Sequence, residues 1–506
     1  MNARLISFLL WLTVLSGAAQ STLFTVQNNG PRSKRINFVF LSEGYTAAQL
    51  PAFAGHVNTA INYLFSREPW QRYRSYCNVF RIEIASTQPG TDNGSAGSTV
   101  TTYFNSGFNT PSVTQLLTID GTGQNRAYAL MNTHVPEYDI PIVIVNDTKY
   151  GGSGGSISIT STNSSSAQIA EHEIGHSFAN LADEYDNDYP GYTPSEKPNN
   201  TAVTSRNLIK WRSWIAAATP IPTPEGGAFG SAVGLFEGSM YRTVGQYRPH
   251  DNSLMRNLNR PTGAVNSQQF VISIYGQVSP VESYTPATLT RNVTQSLQTL
   301  DFSVAPKIPS LSPPLTVEWR MDGQAVGGAT ATSFSLLSDV FGNGSHTVSA
   351  RVKDPTAYVR DDPADLLGET ITWTLNLSGQ LPETLAKWRT AYGPDAANPT
   401  QDGYPNLIKY ALGLNPTQSM ASNQRAYGGT VGAPPALYQT LTVPRHLLRS
   451  DVSYLVEVSS DLISWNSGVG QTVLITDTAT ELKVRDAAPM GTGRRYMRLK
   501  ISAPPP

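Results

Sequence analysis

The chain has 506 residues, a formal net charge of -1 and only 14% charged residues, against roughly 25% in an average soluble domain. With no long basic run, it offers nothing for nucleic acid or an anionic membrane to bind. Its single cysteine, Cys77, excludes an intramolecular disulfide framework. Ser, Thr, Asn, Gly and Pro make up the difference in charge, which implies a polar, loop-rich and β-leaning surface. The length accommodates about three domains.

The first residues read MNARLISFLLWLTVLSGAAQ. Arg4 is a positive n-region, Leu5 to Leu15 is apolar, and Gly17, Ala18 and Ala19 offer a cleavage site. Residues 1–19 are therefore expected to be a secretory signal peptide. The apolar part is short for a membrane span, and no later run is long enough. The mature chain is expected to be exported and soluble.

INFVFLSE, residues 36–43, is an apolar run of strand length. From Ala47 to Phe65, Leu50, Phe53, Val57, Ile61 and Leu64 recur three or four apart and predict a helix. Val79 to Ala85 reads as a strand. Cys77 lies at the head of that alternating run and reads as a core residue rather than a nucleophile. Residues 86–112 are rich in Gly, Ser, Thr and Asn and predict a long loop. Arg126 to Val135 reads as a helix, and IPIVIV, Ile140 to Val145, as a buried central strand. This alternation predicts an α/β (α+β) domain with a mixed sheet. SISITSTNSSS alternates and reads as an edge strand.

The stretch AEHEIGHSFANLADEY follows, Ala170 to Tyr185. A helix starting near Ser166 puts His172 and His176 on one face, so both imidazoles can reach one metal ion. Glu173 stands beside them as a candidate general base. Asp183 lies seven residues past His176, about 10 Å along a continuous helix. Either the helix ends near Ala179–Asn180 and the chain turns back, or the third ligand lies elsewhere. Asn180 is suited to the left-handed conformation of such a turn.

Further on, Asn207 to Ala217 reads as a short helix, and GLFEGSMYRTVGQYRPHDNSLMRN is dense in Tyr, Arg and Gly. SQQFVISIYG, residues 267–276, predicts another helix. Composition shifts near residue 280. The runs LTVEWRMDG, SFSLLSDV, HTVSARVKD and ETITWTLNL then predict a β-sandwich of immunoglobulin-like class. The last segment opens with a helix from Glu383 to Tyr392 and ends in β-rich sequence.

HEIGHSFANLADEY, preceded by YGGSGG and followed by GLFEGSMYRTVGQYRPHDNSLM, resembles the IgA-peptidase family of secreted bacterial zinc metallopeptidases. FVFLSEGYTAAQLPAF resembles that family's N-terminal block, and together the blocks span residues 34–278. The resemblance implies a metzincin-like, zincin-type catalytic domain and a protein or peptide substrate. It makes His172 and His176 zinc ligands and Glu173 the base. The third ligand falls on Asp183, with Glu184 as the neighbouring alternative; His250 is a further candidate. Ser253-Leu254-Met255 resembles a Met-turn, which packs a methionine beneath the metal. Tyr241 and Tyr247 are candidate donors to the oxyanion, and Glu237 a candidate brace or substrate contact.

The expected organisation is a signal peptide (1–19), a zinc metallopeptidase domain (20–280), an immunoglobulin-like sandwich (281–378) and a C-terminal helix with a β-rich module (379–506). DAANPTQDGYPNLIKYALGLNP in that module resembles a calcium-loop-and-helix motif, with Asp395, Asn398 and Asp402 as remaining oxygen ligands. Cell-surface attachment is a candidate role for the module. Two other functions fit the same sequence: an adhesin on a peptidase scaffold, and a zinc amidohydrolase acting on cell-wall material.

Overall fold

The computed structural model describes residues 20–505, except 95–96, 98, 111–112, 190, 296–297, 381–383, 421–425, 433–435, 447–448, 479 and 492. The signal-peptide segment 1–19 lies outside the described residues. Among those described, no helix is long and apolar enough to cross a membrane.

Among the described residues, the first compact unit comprises 20–280 with Lys307–Leu315 and Lys353–Glu369. Its elements run β1 (Thr22–Gln27), β2 (Ile36–Glu43), α1 (Leu50–Leu64), β3 (Cys77–Glu83), β4 (Ser106–Gly107), β5 (Thr118–Ile119), α2 (Gly121–His134), β6 (Ile140–Val145), β7 (Gly152–Ser153), β8 (Ser158–Thr160), α3 (Ser166–Ser177), β9 (Val233–Ser239), β10 (Arg242–His250) and α4 (Ala264–Gln277). One mixed sheet has the order β1-β3-β2-β6-β8-β7. Its inner strands are parallel, and β1 and β7 run antiparallel at the two edges.

Alternation along the central strands sorts the core into two layers, because successive side chains leave opposite faces. Ile36, Phe38 and Phe40 of β2 and Ile140, Ile142 and Ile144 of β6 meet α1, α3 and α4 through Phe53, Val57, Ile174 and Phe270. Val39, Leu41, Val143 and Val145 face the other way, onto Ala127 and Met131 of α2. Both faces are covered, which is why these strands read as unbroken apolar runs.

Two sequence expectations change and a third gains detail. SISIT is not the edge: β8 sits inside the sheet, and the edge is the two-residue β7 within the glycine-rich YGGSGG. A strand of glycine and serine carries no alternation to read. Even that edge is partly covered, since the Gly152 N–H donates to the Gln115 carbonyl (3.3 Å) and its carbonyl accepts from Leu117 N (3.4 Å). Residues 207–217 form two 3-10 turns, Arg206–Leu208 and Arg212–Trp214, rather than a helix. So short a segment gains little from helical bonds, and it instead buries Ile209, Trp211 and Ile215 against Leu235 and Tyr247. The loop after β3 is pinned from within. Buried Glu43, at the end of β2, accepts from the Thr102 hydroxyl (2.6 Å) and the amides of Phe104 (2.9 Å) and Ser106 (3.0 Å).

The second unit holds two β arrangements. In the first, a three-stranded sheet (Val281–Thr285, Thr299–Pro306, Ser333–Leu337) and a five-stranded sheet share an aromatic core. Trp373 lies 5.1 Å from Phe302 and 5.9 Å from Trp319, which stacks on Phe334 at 5.2 Å. The second arrangement follows the helices Leu385–Tyr392 and Asn406–Ala411. There the proposed calcium ligands are already matched with cations. Asp395 takes two bonds from Arg389, and Asp402 lies 3.0 Å from the buried Lys409 ammonium.

Within the first unit, Arg72 is buried. It donates to the carbonyls of Leu311 (2.6 Å) and Pro313 (2.8 Å) and to the Asp354 carboxylate (2.7 Å). The Tyr73 and Tyr275 hydroxyls donate to the other Asp354 oxygen. This knot holds the segments 307–315 and 353–369 in place. Asp354→Ala leaves Arg72 buried without its counter-charge, so it should destabilise the protein by about 3–5 kcal/mol; denaturant midpoints measure this. Tyr275→Phe, which removes one of two donors, should cost about 1 kcal/mol.

Candidate metal centre

Helix α3 carries His172, Glu173 and His176 on the side turned away from Ile174 and the core. The helix stops at Ser177. Asn180 adopts a left-handed conformation (φ 52°), and the Leu181 amide reaches back to the Gly175 carbonyl at 2.9 Å, a glycine-type helix stop built on asparagine. The reversal brings Asp183 over the two histidines. Asp183 Oδ1 lies 3.1 Å from His172 Nε2 and 3.3 Å from His176 Nε2, and the two ring nitrogens are 3.1 Å apart.

These edges fit one ion. Zinc bonds of about 2.0–2.1 Å in a tetrahedron give ligand–ligand edges of about 3.3 Å. The far ring nitrogens are fixed too: His172 Nδ1 donates to the Leu254 carbonyl (3.0 Å) and His176 Nδ1 to the Leu181 carbonyl (2.8 Å). With those protons placed, both Nε2 lone pairs face Asp183, the usual second layer of support for a metal-binding histidine. The donor atoms of His172, Glu173 and His176 also fall within 4.8 Å of one another.

The electrostatics favour positive charge here. Burial alone would lower the His172 pKa, but Asp183, Glu173 and the Leu254 carbonyl outweigh it and push the imidazole up to about 9. Burial would raise Asp183, yet its two imidazole partners hold the carboxyl far below the usual range. Glu173 is pushed upward by burial, against the pull of the two histidines. Its carboxylate has no hydrogen-bond partner among the described residues. Glycine lets the strand pass close to it, since a Cβ on Gly154 would stand 2.8 Å from Glu173 Oε2 and 3.0 Å from His176 Cβ.

Met255 is fully buried against α3, where a Cβ on Gly175 would meet its sulfur at 2.7 Å. The turn before it is tied down by Glu184. That carboxylate accepts from Ser253 Oγ (2.7 Å), Asn199 Nδ2 (2.9 Å) and Asn266 Nδ2 (3.0 Å). Glu184 therefore points away from the histidines and is not the third donor of the cluster. His250 is not one either. Its Nε2 accepts from the Ala264 amide at the start of α4 (3.0 Å), and its ring fills the space a side chain on Gly263 would need.

The two candidate tyrosines part company. Tyr241 sits at the tip of the β9–β10 hairpin, where Met240 (φ 47°) and Tyr241 (φ 59°) both adopt the left-handed region. Such turns suit glycine and asparagine, so the larger side chains store strain of about 1–3 kcal/mol each. The tip is held against the site by Met240 N to Asp183 O (3.1 Å) and Tyr241 N to Tyr185 O (2.9 Å). The Tyr241 hydroxyl donates to Asp183 Oδ2 at 2.7 Å. Tyr247 is elsewhere. It packs with Trp211 and Val265, and its hydroxyl donates to Glu237 at 3.3 Å. Glu237 also accepts from Gly245 N and serves the hairpin.

Two residues escaped the sequence reading. Tyr185 stacks its ring on His172 (centroids 5.9 Å apart, 15° between planes) and brings its hydroxyl to 3.5 Å from His172 Nε2. Asn199 brackets Ala182, accepting from its amide (2.7 Å) and donating to its carbonyl (3.0 Å). The signal for Tyr185 was its place two residues after Asp183 in an extended segment, which returns it to the same side.

Residues 24–228 match the model of a family described as IgA Peptidase M64. Over this part, the chain is similar to that family. The family is one of metallopeptidases, and the matched span contains His172, Glu173, His176 and Asp183 but ends before the hairpin and Met255. No curated protein matches the chain.

His250 supplies a pH test. Burial, helped by Arg248, pulls its pKa from 6.5 down to about 4. The unfolded chain takes up a proton near pH 6.5 and the folded one does not. This group's contribution is therefore complete above pH 6.5 and is lost as pH falls toward 4, by about 3 kcal/mol in total. His250→Gln, which keeps an acceptor for Ala264, should flatten stability over that window in denaturant titrations at stepped pH.

Proposed function

We propose that this chain is an exported zinc-dependent endopeptidase with a zincin-like catalytic domain, followed by β modules that do not take part in the chemistry. The observation that carries the reading is the convergence of His172 Nε2, His176 Nε2 and Asp183 Oδ1 at 3.1–3.3 Å, with both far ring nitrogens committed to backbone carbonyls. Two neutral imidazoles and one carboxylate form a catalytic rather than a structural zinc set, because they leave a coordination position open. When bound, zinc supplies a Lewis acid for the scissile carbonyl and makes water a stronger acid.

The residues of the chain do the rest. Glu173, next to the cluster and without a competing partner, takes a proton from the attacking water. The new C–O bond forms at the peptide carbonyl carbon. As the C–N bond breaks, Glu173 passes that proton to the leaving nitrogen and ends ionised, as it began. Tyr241 holds Asp183 Oδ2, which leaves Oδ1 for the metal. Tyr247 has no part in this scheme, since its hydroxyl serves Glu237. Gly152 and Gly154 keep the edge beside Glu173 free of side chains. Export rests on residues 1–19.

Casein digestion with and without a chelator tests the reading. Activity should vanish with the chelator and return with zinc. Glu173→Ala should keep its zinc and lose about 10³-fold in kcat, within the range for a general base, whereas His172→Ala should lose the metal as well. Equal cleavage by wild type and Glu173→Ala would sink the mechanism. Cleavage of peptidoglycan but not casein would favour the amidohydrolase.

A further inference from the structure

Two tyrosine hydroxyls reach the cluster, and they are in different situations. Tyr241 donates to Asp183 Oδ2 at 2.7 Å, the distance of a strong bond to a charged acceptor. Its proton is committed. Tyr185 has no such acceptor. Its hydroxyl lies 3.5 Å from His172 Nε2, a nitrogen that already faces Asp183 Oδ1 and His176 Nε2. Once that nitrogen binds a cation, its lone pair is used and cannot accept from a phenol. Among the described residues the Tyr185 hydroxyl then has no acceptor, although its ring and backbone are firmly placed. The ring stacks on His172, and the carbonyl accepts from Tyr241 N at 2.9 Å. A preorganised donor beside the ligand triangle, with nothing to donate to, is the arrangement that stabilises charge appearing only during reaction.

From this geometry we infer that Tyr185 is a catalytic residue, whose hydroxyl donates a hydrogen bond to the carbonyl oxygen of the scissile peptide as that oxygen gains negative charge, and that Tyr241 is a positioning residue, which fixes Asp183 through Oδ2. The assignment rests on the peptidase reading above and divides roles that sequence alone could not separate. It requires no proton transfer from Tyr185: the hydrogen bond strengthens as charge develops and relaxes when the C–N bond has broken. The substrate chemistry it implies is an acyl group whose oxygen enters beside His172, within reach of the Tyr185 hydroxyl.

The test compares Tyr185→Phe and Tyr241→Phe in the full chain with three readouts: casein turnover, zinc retention against a competing chelator, and affinity for a phosphinic peptide built on the casein site that wild type cleaves. Tyr185→Phe keeps the ring and its stacking on His172. It should hold one zinc per chain with affinity within about threefold of wild type. It should lose about 100-fold in kcat with little change in KM, and bind the phosphinic peptide more weakly by a similar factor. Tyr241→Phe should instead release zinc about 10–100-fold more readily.

Tyr185→Phe turning over within about threefold of wild type would overturn the assignment. So would loss of zinc from Tyr185→Phe matching that from Tyr241→Phe, since Tyr185 would then only support the metal. Wild-type protein that takes up no zinc and cleaves no casein would overturn the peptidase reading itself. An active wild type with an unimpaired Tyr185→Phe overturns only the role of Tyr185.

Discussion

The site depends on one chain reversal. Helix α3 delivers two histidines four residues apart, but it cannot deliver a third donor, because a straight continuation would carry Asp183 about 10 Å away. The left-handed turn at Asn180 resolves this, and its atoms are used more than once. The Leu181 amide closes the helix on Gly175, while the Leu181 carbonyl orients His176. Asn199 then clamps Ala182 from both sides. Position 183 is thus set by the left-handed turn at Asn180 and by hydrogen bonds on the two residues that follow it, Leu181 and Ala182.

A second layer keeps this reversal in register with the rest of the unit. Consecutive residues of an extended segment point to opposite sides, so Asp183 and Glu184 cannot both face the histidines. Glu184 faces inward and gathers donors from the loop at Asn199, the turn at Ser253 and helix α4 at Asn266. A carboxylate this deeply buried is tolerated only because each oxygen is hydrogen-bonded. The same turn supplies the carbonyl that orients His172 and the methionine that packs under Gly175. Asp183 and Glu184 are therefore complementary parts of one device. One closes on the two histidines, and the other fastens the surrounding loops to the segment that carries it.

The local parts of this arrangement were legible in the sequence, and the long-range parts were not. The spacing of His172, Glu173 and His176 follows from the helix period, and the apolar runs of β2 and β6 follow from burial on both faces. The need for a turn near Asn180 followed from simple length. What could not be read was which of two adjacent acids faces in, because the donors that decide it lie 15 to 82 residues from Glu184. Tyr241 and Tyr247 looked equivalent as tyrosines of one Tyr- and Arg-rich block. Only the bulged register between Arg242 and Tyr247 turns them to different surroundings. The sheet edge was placed on SISITSTNSSS instead of glycine-rich β7 for a related reason: a strand without side chains is recognisable only through its partners.

In the last module, the Lys409 ammonium stands among Asp402, the Thr400 hydroxyl and the Gln418 carbonyl. These are oxygen donors of the kind a calcium loop would use. Here the cation that meets these oxygens is one of the chain's own side chains. A loop organised by a dissolved cation is only as stable as the supply of that cation. One organised by its own lysine carries its counter-charge within the chain, so this contact does not wait on such a supply.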